Sequence, residues 1–584
     1  MRQHTGSNSR SQHLARVGLA VAGIVLAVAS GCSCEAPEGN SDRNNNEQPD
    51  SEQAAIERYD PLGTAINSIG RVANLEAGVP PMCYTATGGK SNPCWVCHTN
   101  PAGQNFQSDG ELQLEYSFSD QALSNHWTNL FVDRSNFIAS ISDEEILDYI
   151  RQDNYAALGP SLDAVGNYPG YRPDVDFAAG FDDDGFASDG SGWRAIRFHP
   201  FLGSFWPTNG STDDVFIRLP KRFRQNAAGE SSREVYKLNF ALLEAAIAGQ
   251  TAASNGAADR SILDREVEPV DERLIDFDLD GDGAVSERVS RIVRLPKYYA
   301  GGASGHPVRP GLYPKGVEFL HSVRYIDPDE PSLMAVRMKE LRYSKKVREL
   351  SDWGILRTYE LEAEEKEEGN LPIIGGSPLY GMVNDFGWQL QAFIEDAKGR
   401  LRLQTEEEHR FCMGCHTAIG VTVDQTFSFA RKVPGKDGWR YHDLRGLKDR
   451  PQLGHAEPEV LTYFKRVGGA DEIRANSEML SRFFPNGVLD EAEVLRASVG
   501  GDRDLAWLLA PSRERALDLN RAYLAVVREQ SFSRGRDAVL SPAVRVHKQI
   551  KNGSTELAKA NMVFHDGHLH LEWDQGKSSP VRGN

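Results

Sequence analysis

Leu333-Met334-Ala335-Val336-Arg337-Met338-Lys339-Glu340-Leu341-Arg342-Tyr343-Ser344-Lys345-Lys346-Val347-Arg348-Glu349-Leu350 is a strongly basic run in an acidic chain, and reading it as a helix decides the fold. Lys339, Arg342, Lys345, Lys346 and Arg348 stand out within it. Working outward, Glu234 to Ala248 places Val235, Leu238, Leu242 and Ala246 on one side of a second helix. Ser142 followed by Glu145 predicts a capping box for a helix through Ile150. From Pro458 to Ser531 helical patterns follow one another, the longest from Pro511 to about Glu529 with proline near its start. Strand signals are fewer. Trp388 to Glu395 and Arg400 to Gln404 flank Asp396-Ala397-Lys398-Gly399 as a hairpin, and His565 to Trp573 reads as another. The expected class is therefore mainly α with minor β (α+β), with a helical C-terminal half and small β-hairpins.

Chemistry enters with two pentapeptides, Cys94-Trp95-Val96-Cys97-His98 and Cys412-Met413-Gly414-Cys415-His416. Two thiols separated by two residues reach the two vinyl groups of one haem, and the adjacent histidine is then held against the iron. A thioredoxin-like redox pair or half of a zinc site also uses two cysteines two apart, but neither requires the neighbouring histidine. The chain has 7 cysteines, so four of them serve this spacing. The expectation is two covalent haem c groups, bound through Cys94, Cys97 and His98 and through Cys412, Cys415 and His416. His416 lies 318 positions after His98, which fits either one haem in each of two lobes or two haems brought together by the fold.

Arg2, Arg10 and Arg16 precede an apolar run from Val17 to Ala29, too short to span a bilayer and suited to a secretory signal. It ends Ala29-Ser30-Gly31-Cys32, which resembles a lipobox and implies lipidation at Cys32; Ala29 stands where leucine is usual. An ordinary cleaved signal is the alternative. Ser33 after the modified position favours the outer membrane, facing the periplasm. The expected regions are 1–31 signal peptide, 32–53 disordered tether, 54–260 first haem region, 261–375 EF-hand-like loop and connection, and 376–584 second haem region with helical C-terminal part.

Asp278-Leu279-Asp280-Gly281-Asp282-Gly283-Ala284-Val285-Ser286 resembles the calcium loop of EF-hands and dockerins. Asp278, Asp280, Asp282, Ala284 and Ser286 are the candidate ligands, Gly283 makes the turn and Val285 packs beneath. Val289 stands where a bidentate acid is usual, with Asp276 or Glu287 as candidate substitutes. A solvated acidic turn is the alternative, and it is preferred for the weaker echo Asp182-Asp183-Asp184-Gly185.

The sixth iron ligand separates an electron carrier from an open, reactive haem. His126, set among aromatic residues, and His321, inside the apolar run Val317 to Val323, are the candidate distal ligands. His199 is a third candidate, His409 reads as a solvated residue, and Met82, Met338, Met382 and Met479 are sulfur candidates whose ordinary role is packing. Cys34 and Cys83 are candidates for a disulfide. No Ser-His-Asp grouping, phosphate loop or metalloprotease helix stands out. Net charge is −18, against a nucleic-acid partner and compatible with basic redox partner proteins.

The two haem motifs and the lipobox together resemble bacterial exported dihaem c-type cytochromes of lipoprotein type, and this resemblance implies c-type cytochrome-like haem regions. Two functions follow as expectations. Electron transfer between periplasmic or membrane partners needs only what the motifs supply; a peroxidase- or oxygenase-like dihaem oxidoreductase acting on a small substrate would explain the large protein mass.

Overall fold

The basic run is a strand. Among the described residues of the computed structural model ten strands follow in chain order: β1 (Arg194–Ile196), β2 (Thr212–Arg218), β3 (Arg265–Val270), β4 (Val289–Ile292), β5 (Glu318–Ile326), β6 (Met334–Lys346), β7 (Gly375–Ser377), β8 (Gly381–Val383), β9 (Trp388–Glu395) and β10 (Leu401–Leu403). Eight of them form one antiparallel sheet in the order β1-β2-β5-β6-β9-β8-β7, with β10 paired to β9, and β3 pairs with β4 apart from it. The helices are α1 (Gly63–Ser68), α2 (Cys94–Cys97), α3 (Ser135–Ala139), α4 (Asp143–Ile150), α5 (Leu158–Ala164), α6 (Arg233–Ala248) and α7 (Asp352–Glu367). After the sheet come α8 (Glu406–His416), α9 (Glu459–Val467), α10 (Ser477–Phe483), α11 (Glu491–Leu495), α12 (Leu505–Leu509) and α13 (Arg513–Glu529). The described residues are 59–86, 93–99, 113, 119–203, 206–249, 263–368, 370, 373–468, 473–551, 563–567 and 569–573. The signal, Cys32, Cys34 and the tether lie outside them.

The mainly α expectation is thus corrected, and the reason is visible along β6. Arg337, Lys339, Glu340 and Lys346 are buried, and each charge is taken up by a partner from a distant part of the chain. Lys339 Nζ donates to the Gly210 carbonyl at 2.6 Å and to Ser211 Oγ at 3.1 Å. Lys346 Nζ donates to the Phe386 carbonyl at 2.8 Å and pairs with Asp424. Burial pushes the Lys339 ammonium down to about 7. Charges that read as a solvated helix face are therefore internal tethers. The other central strands are buried on both faces, so the polar alternation that marks a strand is missing. The hairpin expected over His565 to Trp573 is also absent from its described residues, which contribute an isolated bridge from Leu571 to Gln452.

Local signals with their own hydrogen bonds are present as expected. Ser142 Oγ accepts from Glu145 N at 3.1 Å at the start of α4, which is the N-cap half of the expected capping box. In the β9–β10 hairpin Leu401 faces Glu395, and Asp396 N donates to the Arg400 carbonyl at 2.6 Å. Gly399 has φ +79°, a conformation that favours glycine.

One sheet face carries Phe216, Leu320, Leu341 and Phe393 into a core with Trp193 and Leu403. Burying such side chains contributes about 1.5–3 kcal/mol each. The opposite face presents Val215, His321, Arg342 and Ala392, aligned residue by residue across β2, β5, β6 and β9. That row is the floor of the site described next. Among the described residues no helix is long and apolar enough to cross a membrane.

Candidate functional site

The second pentapeptide ends α8, and the sequence fixes that helix from its first residue. Thr405 Oγ1 accepts from Glu408 N at 3.2 Å, while the Glu408 carboxylate accepts from Thr405 N at 2.8 Å, closing a capping box. Glu408 also grips the Arg402 guanidinium through two bonds of 2.9 Å, both side chains buried. Facing Arg402, its carboxyl is held at about 2, against the opposing effect of burial. At helical spacing Cys412, Cys415 and His416 share one face. Gly414 between them has no room for a side chain, because a methyl there would be driven into the Gly78 carbonyl. Asn384 Nδ2 donates to the His416 carbonyl at 2.8 Å, and Phe427 meets the imidazole edge-on at 5.9 Å. Burial, with Arg342 and His321 adding to it, pushes His416 down to about 3, so the ring is neutral, as a metal ligand must be.

The first pentapeptide is a single turn, α2, and its histidine stands outside the helix with His98 N donating to the Cys94 carbonyl at 2.7 Å. Trp95 anchors it. The indole is fully buried, 6.4 Å from Tyr463 and 6.5 Å from Phe564, with the Arg466 guanidinium 4.6 Å above it. Gln113 Nε2 donates to the His98 carbonyl at 2.8 Å and to the Phe564 carbonyl at 2.6 Å, joining this turn to the C-terminal segment.

Both turns line one cavity of about 550 Å³, floored by the sheet row and largely apolar in its walls. This volume lies within the range of roughly 300–1,000 Å³ that cofactor sites occupy. Cys83 lies on the same wall: burial pushes its thiol up, and Cys94, Cys97 and Cys415 act on it in the same direction, so it is within electrostatic reach of both motifs. Arg342, Arg410, Arg431, Arg474 and Arg536 also reach the cavity. The donor set suits a haem at each motif: paired thiols for the vinyl groups, an adjacent imidazole, neutral in the second motif, and apolar walls.

The candidate sixth ligands separate clearly. His321 lines the cavity and its Nε2 is 3.2 Å from Asp213 Oδ2. His199 and His409 line it too, but their rings serve the scaffold. His199 is held by Arg431 at 3.1 Å and stands 3.7 Å from Asp449 and 3.6 Å from Glu459. His409 is buried, contrary to its solvated reading; its Nδ1 donates to the Thr405 carbonyl at 2.9 Å and its Nε2 accepts from Ala392 N at 3.0 Å. Burial pushes it down to about 4. His126 is half-buried beside the Gln121 carbonyl and does not line the cavity. Met338, Met382 and Met479 belong to hydrophobic cores, whereas Met82 lines the cavity.

In the acidic loop Asp278 accepts from Gly281 N at 2.6 Å and Gly283 N at 3.0 Å and pairs with Arg294. The sequence missed Glu272. Its carboxylate accepts from Leu279 N and Ser286 N, each at 2.6 Å, and together with Asp278 and Asp280 it gathers three carboxylates whose oxygens lie within 4.8 Å of one another. Asp282 is not part of that carboxylate group, Glu287 pairs with Arg273 at 3.4 Å, and Val289 is buried in β4. In the echo at 182–185, Asp182 and Asp184 pair with Arg233.

Residues 66–496 match the family described as “-like lipoprotein”. A protein of Aquifex aeolicus (strain VF5) described as “Uncharacterized lipoprotein” is 33% identical over 526 residues, covering 80% of this chain and 86% of the relative. No solved structure matches. These matches overturn the resemblance to exported dihaem cytochromes as a statement of family: two pentapeptides occupy little of the chain, and the span that matches is that of a lipoprotein family, with no cytochrome family among the matches. The chain belongs to this family of lipoproteins, lipid-anchored proteins of the cell envelope.

Proposed function

We propose that this lipoprotein binds two covalent haem c groups in its central cavity and transfers electrons between partners in the cell envelope. The observation that carries the reading is that the two Cys-x-x-Cys-His turns, 318 positions apart in the chain, line one cavity. Haem iron supplies reversible one-electron oxidation and reduction. The chain's own residues do the rest. Cys94, Cys97, Cys412 and Cys415 would hold the haem groups through thioether bonds, and His98 and His416 would supply imidazole nitrogen to the iron beside them. Trp95 on one side and the capped α8 on the other fix those turns, while the apolar walls keep water from the attachment points. An acidic surface suits basic redox partners.

The test is haem stoichiometry after export in a host that matures c-type cytochromes. The parent is expected to carry two haems that resist acid-acetone extraction. Cys94→Ala, Cys97→Ala and Cys412→Ala, Cys415→Ala variants are each expected to carry one. Full stoichiometry in either variant, or a parent without covalent haem, overturns the reading.

The anchor belongs to the same proposal: Cys32 carries the lipid and the protein sits on the periplasmic side of the outer membrane. The loop from Asp278 is proposed to hold calcium as a structural clip, with Glu272 supplying the carboxylate that Val289 cannot. Calcium is expected to raise the thermal midpoint of the parent and to do so far less in Asp278→Ala, Asp280→Ala. A parent indifferent to calcium would return the loop to a solvated turn.

A further inference from the structure

Position along the sheet row singles out one histidine. β5 places His321 opposite Arg342 on β6, and Arg342 stands opposite Ala392 on β9. The backbone N–H of Ala392 donates to His409 Nε2, which pins α8 to the β9 end of that row. His416 follows His409 by seven residues, two helical turns, so both rings leave α8 on the same side. His416 therefore lines the same cavity as His321.

Asp213 completes the arrangement. It stands on β2 two residues before Val215, the residue aligned with His321, and its carboxylate accepts from the ring Nε2 at 3.2 Å. Both side chains line the cavity. A carboxylate on one ring nitrogen of a histidine sets its tautomer and orientation and raises the basicity of the other nitrogen, which is how metal-ligating histidines are held. The other histidines that line the cavity outside the motifs are His199 and His409, and the scaffold uses both rings.

We infer that His321 is the second axial ligand of the haem bound through Cys412, Cys415 and His416, and that Asp213 is its positioning residue. The inference rests on the haem reading above. It makes that haem six-coordinate and closed to small molecules, which assigns it to electron transfer rather than to chemistry on a bound substrate.

The experiment uses the full-length holoprotein and electron paramagnetic resonance of the oxidised form, with haem content measured in the same samples. In His321→Ala half of the iron is expected to become high-spin relative to the parent while haem content stays at two per chain. His321→Met is expected to restore the low-spin signal and raise the midpoint potential of one haem, as thioether ligation does. Asp213→Asn is expected to stay low-spin and to raise the same potential by a smaller amount, since a less basic imidazole stabilises ferric iron less. A His321→Ala protein with the parent's spin state overturns the inference and leaves the haem reading standing. If His321→Ala does not fold, unchanged potentials in both His321→Met and Asp213→Asn overturn it. A parent without covalent haem instead overturns the reading on which it rests.

Discussion

The two Cys-x-x-Cys-His turns share a spacing and differ in what holds them. The first is a single turn whose main anchor is the buried Trp95, packed on Tyr463 and Phe564, with Gln113 bonding the His98 carbonyl. The second is the last turn of an eleven-residue helix fixed upstream by a capping box, a buried ion pair and a hydrogen bond to the sheet. One is held chiefly by side-chain packing, the other chiefly by polar contacts with defined directions. The difference teaches that the same five-residue chemistry can be presented by unlike scaffolds, so that the scaffolds answer differently to mutation and to pH.

Trp95→Ala is the sharpest way to break the first scaffold. Removing a fully buried indole is expected to cost about 3–5 kcal/mol, and urea unfolding at pH 7 and pH 4 should give the same loss. Glu408→Gln attacks the second. It leaves the Arg402 charge buried without its carboxylate, with an expected loss of about 3 kcal/mol at neutral pH. Here the pH dependence has a definite sign. The folded carboxyl is held at about 2, below the ordinary value of 4.5, so its stabilisation is fully present above 4.5 and is lost as pH falls toward 2. The gap between parent and Glu408→Gln should narrow over that window, and a gap constant down to pH 2 would remove the polar account of this scaffold.

Smaller effects sharpen the contrast. Gly414→Ala forces a methyl against the Gly78 carbonyl and is expected to cost about 1–3 kcal/mol, with separation of residues near 78 from α8 visible as faster amide exchange. Thr405→Ala removes the cap oxygen and should cost about 1 kcal/mol, read as a lowered thermal midpoint with both motifs otherwise undisturbed.

Much of the local structure was legible because each piece is complete within a few residues. The cap at Ser142, helix α6 and the β9–β10 hairpin each carry their own hydrogen-bond pattern. The sheet was not legible, because β6 neutralises its charges with Gly210, Phe386, Asp424 and Arg536, groups that no window of sequence contains. The two Cys-x-x-Cys-His motifs were readable from spacing alone. Their common cavity was not, since nothing near residues 94–98 refers to residues 412–416. His321 drew notice for sitting in an apolar run, while Asp213 beside it carries no mark in the sequence. Glu272 escaped for a similar reason: it precedes the acidic loop and reaches it by folding back on Leu279 and Ser286.

A chamber walled by residues 94–98 and 412–416 also imposes an order of assembly. The chain emerges from its amino end, so Cys94 and Cys97 are exported well before the strands and helix that close over them exist. A group joined to the first pair of thiols would have open access during that interval, until β9, β10, α8 and then Phe427, Arg474, Tyr523 and Arg536 close the chamber around it. The later pair has a shorter interval: fewer lining residues follow Cys412 and Cys415, so on the proposed reading their loading would have to keep closer pace with folding. Late synthesis, rather than reactivity, would then make the second attachment the step at which maturation of this lipoprotein most easily fails.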